Sequence, residues 1–255
     1  MYLNKNKHIL SKTILCVAIV NALAEAVYSI TRAGIMRTGN TRYPEVMNNW
    51  IMEADIVIFL IKLLVNAFIF WRSQNKINAI HKLIPAEDME EIRLLQKAYI
   101  PDKISTLDIG TTEMLLKIWA LIILGISMVY EITSVIYNAF IVRLFLGVGI
   151  DSPDKVRLLT SIYNETHGFK YIGMVIAIFI GIVITAICLK DQMMMLISAE
   201  VIVAFLITFL LLGQSQMVIM SKHVGVVWTS VIFHAIQTLG LLSLGIYLRL
   251  KYKGI

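Results

Sequence analysis

The sequence predicts an all-α integral membrane protein, a bundle of six transmembrane helices that forms a single domain over residues 1–255. Composition is the first reason, because 58% of the residues are hydrophobic and 16% are charged, whereas soluble domains carry about 25% charged residues. The second reason is that the apolar residues fall into six runs, each close to the roughly 20 residues that cross a bilayer. The third is that basic residues concentrate in alternate connections.

The apolar runs set the predicted boundaries of the spans and of the turns between them. The six predicted spans cover residues 11–31, 50–71, 117–142, 171–189, 193–212 and 224–248. Residues 190–192 leave room only for a tight turn, so the fourth and fifth spans should be antiparallel neighbours. Thr111 or Thr112 is expected to cap the third helix, since a hydroxyl oxygen accepts a hydrogen bond from a free backbone N–H group.

The distribution of charge predicts the topology. The chain carries 23 Lys and Arg residues against 17 Asp and Glu residues, a formal net charge of +6. The basic residues are divided among the connections instead of forming one patch, which argues against nucleic acid as a partner. Because cytosolic connections retain Lys and Arg, both termini and the connector 73–116 are predicted to lie in the cytosol. The lipid bilayer of the cell membrane is therefore the principal expected partner.

The connector contains a segment, residues 86–99, with the pattern of an amphipathic helix. Pro85 precedes it, and acidic residues occupy its first turn, where the helix dipole favours negative charge. One interpretation is a helix that lies on the inner membrane surface. The other is a docking helix for a cytosolic partner. The sequence leaves both open, as it leaves open whether the protein forms a homo-oligomer.

Polar residues recur on one helical face in four of the predicted spans, at the three- and four-residue spacing that stacks side chains on an α-helix. The stripes consist of Asn21, Glu25, Tyr28 and Arg32 in the first span, Asp55, Lys62 and Asn66 in the second, Ser127, Glu131, Ser134 and Asn138 in the third, and Ser230, His234 and Gln237 in the sixth. Such a face should point into the bundle, because polar groups in hydrocarbon need partners.

Three of these residues carry formal charge near mid-depth, where a charge costs at least about 2.5–3.5 kcal/mol. Lys62 is expected to pair with Glu25 or Glu131, with His234 beside the remaining carboxylate. One carboxyl group should be protonated, because cations are scarce at this depth. The predicted intramembrane polar site consists of Asn21, Glu25, Lys62, Glu131, Asn138 and His234. The alternative is that these residues only hold the bundle together.

A polar site inside a membrane favours a transporter, channel or permease subunit for an ion or small polar solute. A small membrane sensor or immunity protein that binds an extracellular peptide or partner is the alternative, and an intramembrane enzyme is the third hypothesis. The sequence contains no His-Glu-x-x-His or Gly-x-Ser-x-Gly motif, so no catalytic residue, metal or cofactor is predicted. Cys16 and Cys188 lie inside apolar runs and are not expected to form a disulfide.

Overall fold

The architecture of the protein is helical. The computed structural model describes residues 2–38, 44–83, 90, 108–129, 132, 173–189, 191–194, 196–197, 199 and 225–252. Nearly every one of these residues is helical, in agreement with the predicted all-α class. Most of the fifth predicted span and most of segment 86–99 lie outside the described residues.

Long helices account for most of the described residues. They are α1 (Tyr2–Thr38), α2 (Pro44–Lys82), α3 (Asp108–Ala120), α4 (Gly173–Leu189) and α5 (Gly225–Lys251). α3 continues directly into a π-helical segment, Leu121–Ile126, in which each backbone hydrogen bond closes a wider ring than in an α-helix. α4 and α5 coincide closely with the fourth and sixth predicted spans. Asp191, in the predicted turn, is not helical, and Gln192 is helical again.

Two of the helices extend into the predicted connector 73–116. α2 continues through Lys82, and α3 already begins at Asp108. The prediction that Thr111 or Thr112 caps α3 is therefore wrong, because both residues lie within the helix. The physical reason is that hydropathy marks where a helix leaves apolar surroundings, whereas the backbone hydrogen bonds that define the helix continue through polar residues.

Among the described residues, three helices are long and apolar enough to cross a membrane. The qualifying stretches are Asn6–Tyr28, Glu53–Lys82 and Gly110–Val129, and the apolar helix Gly173–Leu189 is shorter. In an apolar 18-residue window of the stretch within α2, 11% of the residues are buried, against 39% in the corresponding window within α1. Most of the apolar surface of α2 is thus left for an apolar environment such as lipid, as expected for a membrane-embedded protein.

α1 and α2 pack against each other as an antiparallel pair. Near the start of α1, Thr13 Oγ1 lies 2.6 Å from Ser73 Oγ. Farther along α1, Glu25 Oε1 lies 3.5 Å from Lys62 Nζ. Residue numbers rise along α1 as they fall along α2, so these two contacts fix both the direction and the register of the pair.

α1 also packs antiparallel to α5. His8 Nδ1 lies 3.4 Å from the carbonyl oxygen of Tyr252, so the start of α1 and the end of α5 lie together. The two backbones approach closely at Gly245, where an added Cβ atom would lie 2.9 Å from Leu15 Cα. Glycine is required at this point because the obstructing atom belongs to the backbone, which cannot move aside as a side chain can.

The core is formed by α3, α4 and the parts of α1, α2 and α5 that pack against them. Its largest fully buried side chains are Leu10, Ile14, Ile77, Leu115, Trp119, Ile123, Ile178, Ile182, Met194, Leu241, Leu244 and Leu248. One polar contact crosses this core: Trp119 Nε1 donates a hydrogen bond to Thr185 Oγ1 at 3.1 Å. Thr185 in turn donates to the carbonyl oxygen of Gly181 at 2.7 Å, so every polar group in this contact is satisfied.

Candidate functional site

Four residues form what we call the polar layer: Asn21 and Glu25 of α1, and Lys62 and Asn66 of α2. Within each helix the two residues are four positions apart, so they share one face. The register of α1 and α2, fixed by the two contacts described above, places Asn66 opposite Asn21. The polar layer therefore spans about one helical turn of the interface between two otherwise apolar helices.

The ion pair in the polar layer is loose. Lys62 Nζ lies 3.5 Å from Glu25 Oε1, a longer distance than the roughly 2.7–2.9 Å of a close charge-assisted hydrogen bond. The two side chains are 12% and 17% exposed, so both charges are largely withdrawn from solvent. The predicted pairing of Lys62 with Glu25 is thus present. The contact with Glu25 uses one of the three N–H donors that a lysine ammonium carries.

The two asparagines of the polar layer are more deeply buried than the ion pair, with Asn21 3% and Asn66 1% exposed. Asn21 Nδ2 donates to the carbonyl oxygen of Val17 at 2.8 Å, which leaves the amide oxygen for contacts outside that turn. Within the described residues, Asn21 Oδ1 and Asn66 Oδ1 are buried and accept no hydrogen bond. Each buried acceptor without a donor destabilises a fold by about 1–3 kcal/mol, so packing alone does not account for them.

Buried polar atoms without a hydrogen-bond partner among the described residues also lie outside the polar layer, on Asn6, His81 and Ser127. Ser127 is 6% exposed, and its hydroxyl has no hydrogen-bond partner in the part of the chain that the structure describes. It follows directly on the segment Leu121–Ile126, which packs against α2. π-Helical turns inside α-helices are frequent at functional sites, and this one precedes the first residue of the polar stripe predicted for the third span.

The structure brings together part of the predicted site. Asn21, Glu25 and Lys62 share the interface between α1 and α2, and Asn66, which was predicted only as a member of a polar stripe, joins them. Glu131 and Asn138 lie outside the described residues. His234 belongs to α5, but its side chain is also outside the described part, so the contribution of these three residues stays a prediction.

A second polar cluster, which the sequence analysis did not predict, surrounds the residue that follows α4. The Asp191 side chain is 3% exposed and accepts hydrogen bonds from Tyr247 Oη at 2.7 Å and Lys251 Nζ at 2.5 Å. Asp191 Oδ1 also accepts a bond from the backbone N–H of Met193 at 3.1 Å, as an N-cap residue does. The Asp191 N–H donates to the Ala186 carbonyl oxygen, which closes the end of α4.

Burial and hydrogen bonding act in opposite directions on the two charged groups of this cluster. Burial raises the pKa of the Asp191 carboxyl, but the hydrogen bonds from Lys251 and Tyr247 outweigh burial and hold this pKa below its usual value. Burial lowers the pKa of Lys251, but its hydrogen bonds to Asp191 and Tyr247 outweigh burial and raise this pKa. Both groups therefore favour their charged forms in the folded protein.

His8 of α1 extends this cluster toward the start of the chain. Arg249 Nη1 lies 2.9 Å from His8 Nδ1. The ammonium groups of Lys7 and Lys251 lie 5.6 Å and 6.0 Å from the centre of the Tyr252 ring, within the range of cation–π attraction. We call His8, Asp191, Tyr247, Arg249 and Lys251 the helix-end cluster. It joins the start of α1, the end of α4 and the end of α5.

The coordinating atoms of the polar layer determine which ions it can bind. One carboxylate and two carboxamide oxygens are hard oxygen donors, which suit alkali and alkaline-earth cations better than transition metals. Within the described residues, no group of three or more His, Cys, Asp and Glu residues could hold a metal ion. The polar layer is therefore chemically distinct from the sites that bind zinc, copper or iron.

Comparison with known proteins provides no assignment of function. No family model, no curated protein sequence and no solved structure matches the chain. Function is therefore inferred from the apolar helices and from the geometry of the polar layer.

Proposed function

We propose that the protein is a multi-pass membrane protein that acts as a transporter, channel or permease subunit for an ion or small polar solute. The solute site is the polar layer, extended by Glu131, Asn138 and His234. The observation that carries the proposal lies within helices able to cross a membrane: the polar layer contains a loose ion pair and two buried carboxamide oxygens to which the described residues donate no hydrogen bond.

The energetics favour a functional over a purely structural role. Charged groups inside a bilayer are costly and are found mostly along ion and solute pathways. A contact that served only to hold α1 against α2 would be expected to satisfy its own donors and acceptors, as Thr13 and Ser73 do a few turns away. In the polar layer, Asn21 Oδ1 and Asn66 Oδ1 accept no hydrogen bond within the described residues. This arrangement is expected of groups that also bind a transient ligand.

The register between α1 and α5 supports the inclusion of His234. Gly245 lies against Leu15, and the two helices run antiparallel. Glu25 follows Leu15 by ten residues in α1, and His234 precedes Gly245 by eleven residues in α5. Because the two helices are antiparallel, Glu25 and His234 lie at similar depth. Three helices would thus contribute to one level of the bundle, as expected of a site formed between helices.

The same geometry supports the proposed topology. The start of α1 and the end of α5 lie together, so both termini are on one side if both helices cross the membrane. Basic residues near this end of the described helices include Lys7, Lys12, Lys82, Arg249 and Lys251. Because cytosolic segments retain Lys and Arg, we place this end in the cytosol and the protein in the cell membrane.

A reconstitution experiment tests the proposal. Proteoliposomes that contain the purified protein are exposed to gradients of Na⁺, K⁺, H⁺ and a panel of small polar solutes, and flux is recorded for the wild type and for Glu25→Gln. We expect wild-type flux of at least one solute and its loss in Glu25→Gln, with thermal stability retained. Glu113→Gln is the matched control, because Glu113 pairs with Lys117 on an exposed surface.

The opposite results identify the other functions. Equal flux through wild type and Glu25→Gln would show that the polar layer is structural. Absence of flux for every solute, together with binding of an extracellular peptide or partner, would establish the sensor or immunity function instead.

A further inference from the structure

Lys62 and the two asparagines have complementary unused hydrogen-bonding groups. The Lys62 ammonium carries three N–H donors, and its described contact, to Glu25, occupies one of them. Asn21 Oδ1 and Asn66 Oδ1 are buried acceptors that accept no hydrogen bond within the described residues. A donor with spare capacity and two acceptors without donors thus lie within one turn of the same interface.

The geometry permits Lys62 to move between them. Asn66 follows Lys62 by four residues on the same helix, a spacing of about 5–6 Å between Cβ atoms, and a lysine side chain has a flexible four-carbon stem. The contact with Glu25 is long at 3.5 Å, so it does not hold the ammonium firmly. A shift of the ammonium toward Asn66 and Asn21 would separate it from the Glu25 carboxylate.

We propose that the Glu25 carboxylate is the binding site for a monovalent cation, and that Lys62 is a tethered competitor that moves to the Asn21 and Asn66 oxygens when the cation binds. The inference rests on the proposed function and specifies its substrate class. Without the ligand, the ammonium neutralises Glu25. With the ligand, the cation takes that position, and the two carboxamide oxygens stabilise the displaced ammonium.

The chemistry of the polar layer favours a monovalent cation over the other classes of ligand. An anion would be repelled by the Glu25 carboxylate beside Lys62, and the unused groups of Asn21 and Asn66 are acceptors. Ca²⁺ and Mg²⁺ are usually bound through several oxygen ligands, often with more than one carboxylate, whereas Glu25 is the single carboxylate among the four residues of the polar layer. A single positive charge that exchanges with the Lys62 ammonium keeps the charge at Glu25 balanced.

Cation affinity of the purified protein tests this exchange. Isothermal titration with NaCl and with KCl, at constant ionic strength set by choline chloride, gives the affinity of each variant. Lys62→Met removes the competitor and should tighten binding of Na⁺ or K⁺ roughly tenfold, which corresponds to about 1.4 kcal/mol. Glu25→Gln should abolish binding. Lys117→Met, which removes a lysine from an exposed pair with Glu113, should leave the affinity unchanged.

A double-mutant comparison separates the shuttle from direct ligation. If Asn66 acts by receiving Lys62, Asn66→Leu should weaken cation binding in the wild-type background and have no effect in the Lys62→Met background. An equal loss in both backgrounds would show that Asn66 ligates the cation itself, and would overturn the exchange. Unchanged or weaker binding in Lys62→Met would overturn it as well.

Flux and affinity together distinguish the two proposals. Flux that depends on Glu25, combined with no increase in Na⁺ or K⁺ affinity in Lys62→Met, would leave the proposed function standing and refute the exchange. Tighter cation binding in Lys62→Met, combined with no flux of any solute in wild-type proteoliposomes, would support the site and refute transport.

Discussion

The helix-end cluster and the polar layer each contain a carboxylate paired with a lysine ammonium, yet the two pairs are built differently. Asp191 accepts hydrogen bonds from Lys251, from Tyr247 and from a backbone N–H group, all at 2.5–3.1 Å. The carboxylate of Glu25 and the ammonium of Lys62 are 3.5 Å apart, and the buried amide oxygens beside them accept no hydrogen bond within the described residues.

This difference separates groups that hold the fold from groups available to a ligand. A carboxylate with several close donors is fixed in one position, and replacing it leaves those donors unpaired. The Lys62 ammonium has a long contact with Glu25 and two buried acceptors nearby, so it can shift without breaking a close hydrogen bond of its own. The helix-end cluster should therefore contribute to stability, whereas the polar layer should lower stability and contribute to function.

Asp191→Ala should have the largest effect on stability. The substitution removes an N-cap and the charged partner of Lys251, so we expect a loss of about 2–4 kcal/mol in the free energy of unfolding. Unfolding of the purified protein in detergent, followed by circular dichroism, measures this loss. Asp191→Asn keeps an oxygen for the Met193 N–H and loses only the charge, so its effect should be intermediate. A loss within about 0.5 kcal/mol for Asp191→Ala, the range of ordinary surface substitutions, would contradict the structural role.

Gly245→Val should have the next largest effect, because it separates α1 from α5, two of the three helices that the helix-end cluster joins. The new side chain would meet the Leu15 backbone, where even a Cβ atom lies 2.9 Å from Cα. Overpacking of this kind typically costs about 1–3 kcal/mol. Gly173→Ala is the matched control, since a Cβ atom at Gly173 has no neighbour within 4 Å. The control should be neutral or stabilising by roughly 0.5–1 kcal/mol. Equal behaviour of the two variants would rule out the close approach of α1 and α5.

A pH titration of stability measures the contribution of the Asp191 carboxylate, and its expected effect is smaller. The pKa of Asp191 is lowered in the folded protein, so its stabilising contribution is present above the unfolded value of about 3.9 and is lost as pH falls through the lower folded value. Wild-type protein should therefore lose more stability on acidification below about pH 4 than Asp191→Asn does. Unfolding midpoints measured at several pH values give the comparison, and parallel curves for the two proteins would contradict it.

Local patterns in the sequence predicted the pairing of Lys62 with Glu25 in the polar layer. The helical repeat places Asn21 and Glu25 on one face of α1, and Lys62 and Asn66 on one face of α2. The pairing of Lys62 with Glu25 follows from the cost of a charge in an apolar helix. The bounds of α4 and α5 follow from apolar runs with polar residues at both ends. Each of these inferences needs only residues close in sequence, or one strong electrostatic constraint.

The helix-end cluster could not be predicted in the same way. Asp191 is about 60 residues from Lys251 in sequence, and their contact depends on how α4 and α5 dock. One local signal was present, since an aspartate shortly before the apolar run that begins at Met193 is a preferred N-cap. The extension of α2 through Lys82 was missed because polar helix beyond an apolar run carries no hydropathy signal. The start of α3 was missed for the same reason.

The smallest expected effect on stability, and the most informative one, comes from Asn66→Leu. The substitution removes a buried acceptor that accepts no hydrogen bond within the described residues, so the free energy of unfolding should rise by up to about 1 kcal/mol. Solute flux in proteoliposomes should fall at the same time. Ser73→Ala is the matched control in the same interface: it breaks the satisfied contact with Thr13 and should lower stability by about 1 kcal/mol without changing flux.

A variant that gains stability as it loses activity shows that the native residue is kept for function. If Asn66→Leu instead destabilises the protein and leaves flux intact, the polar layer holds α1 to α2 as the helix-end cluster holds α4 to α5, and the distinction between the two regions fails.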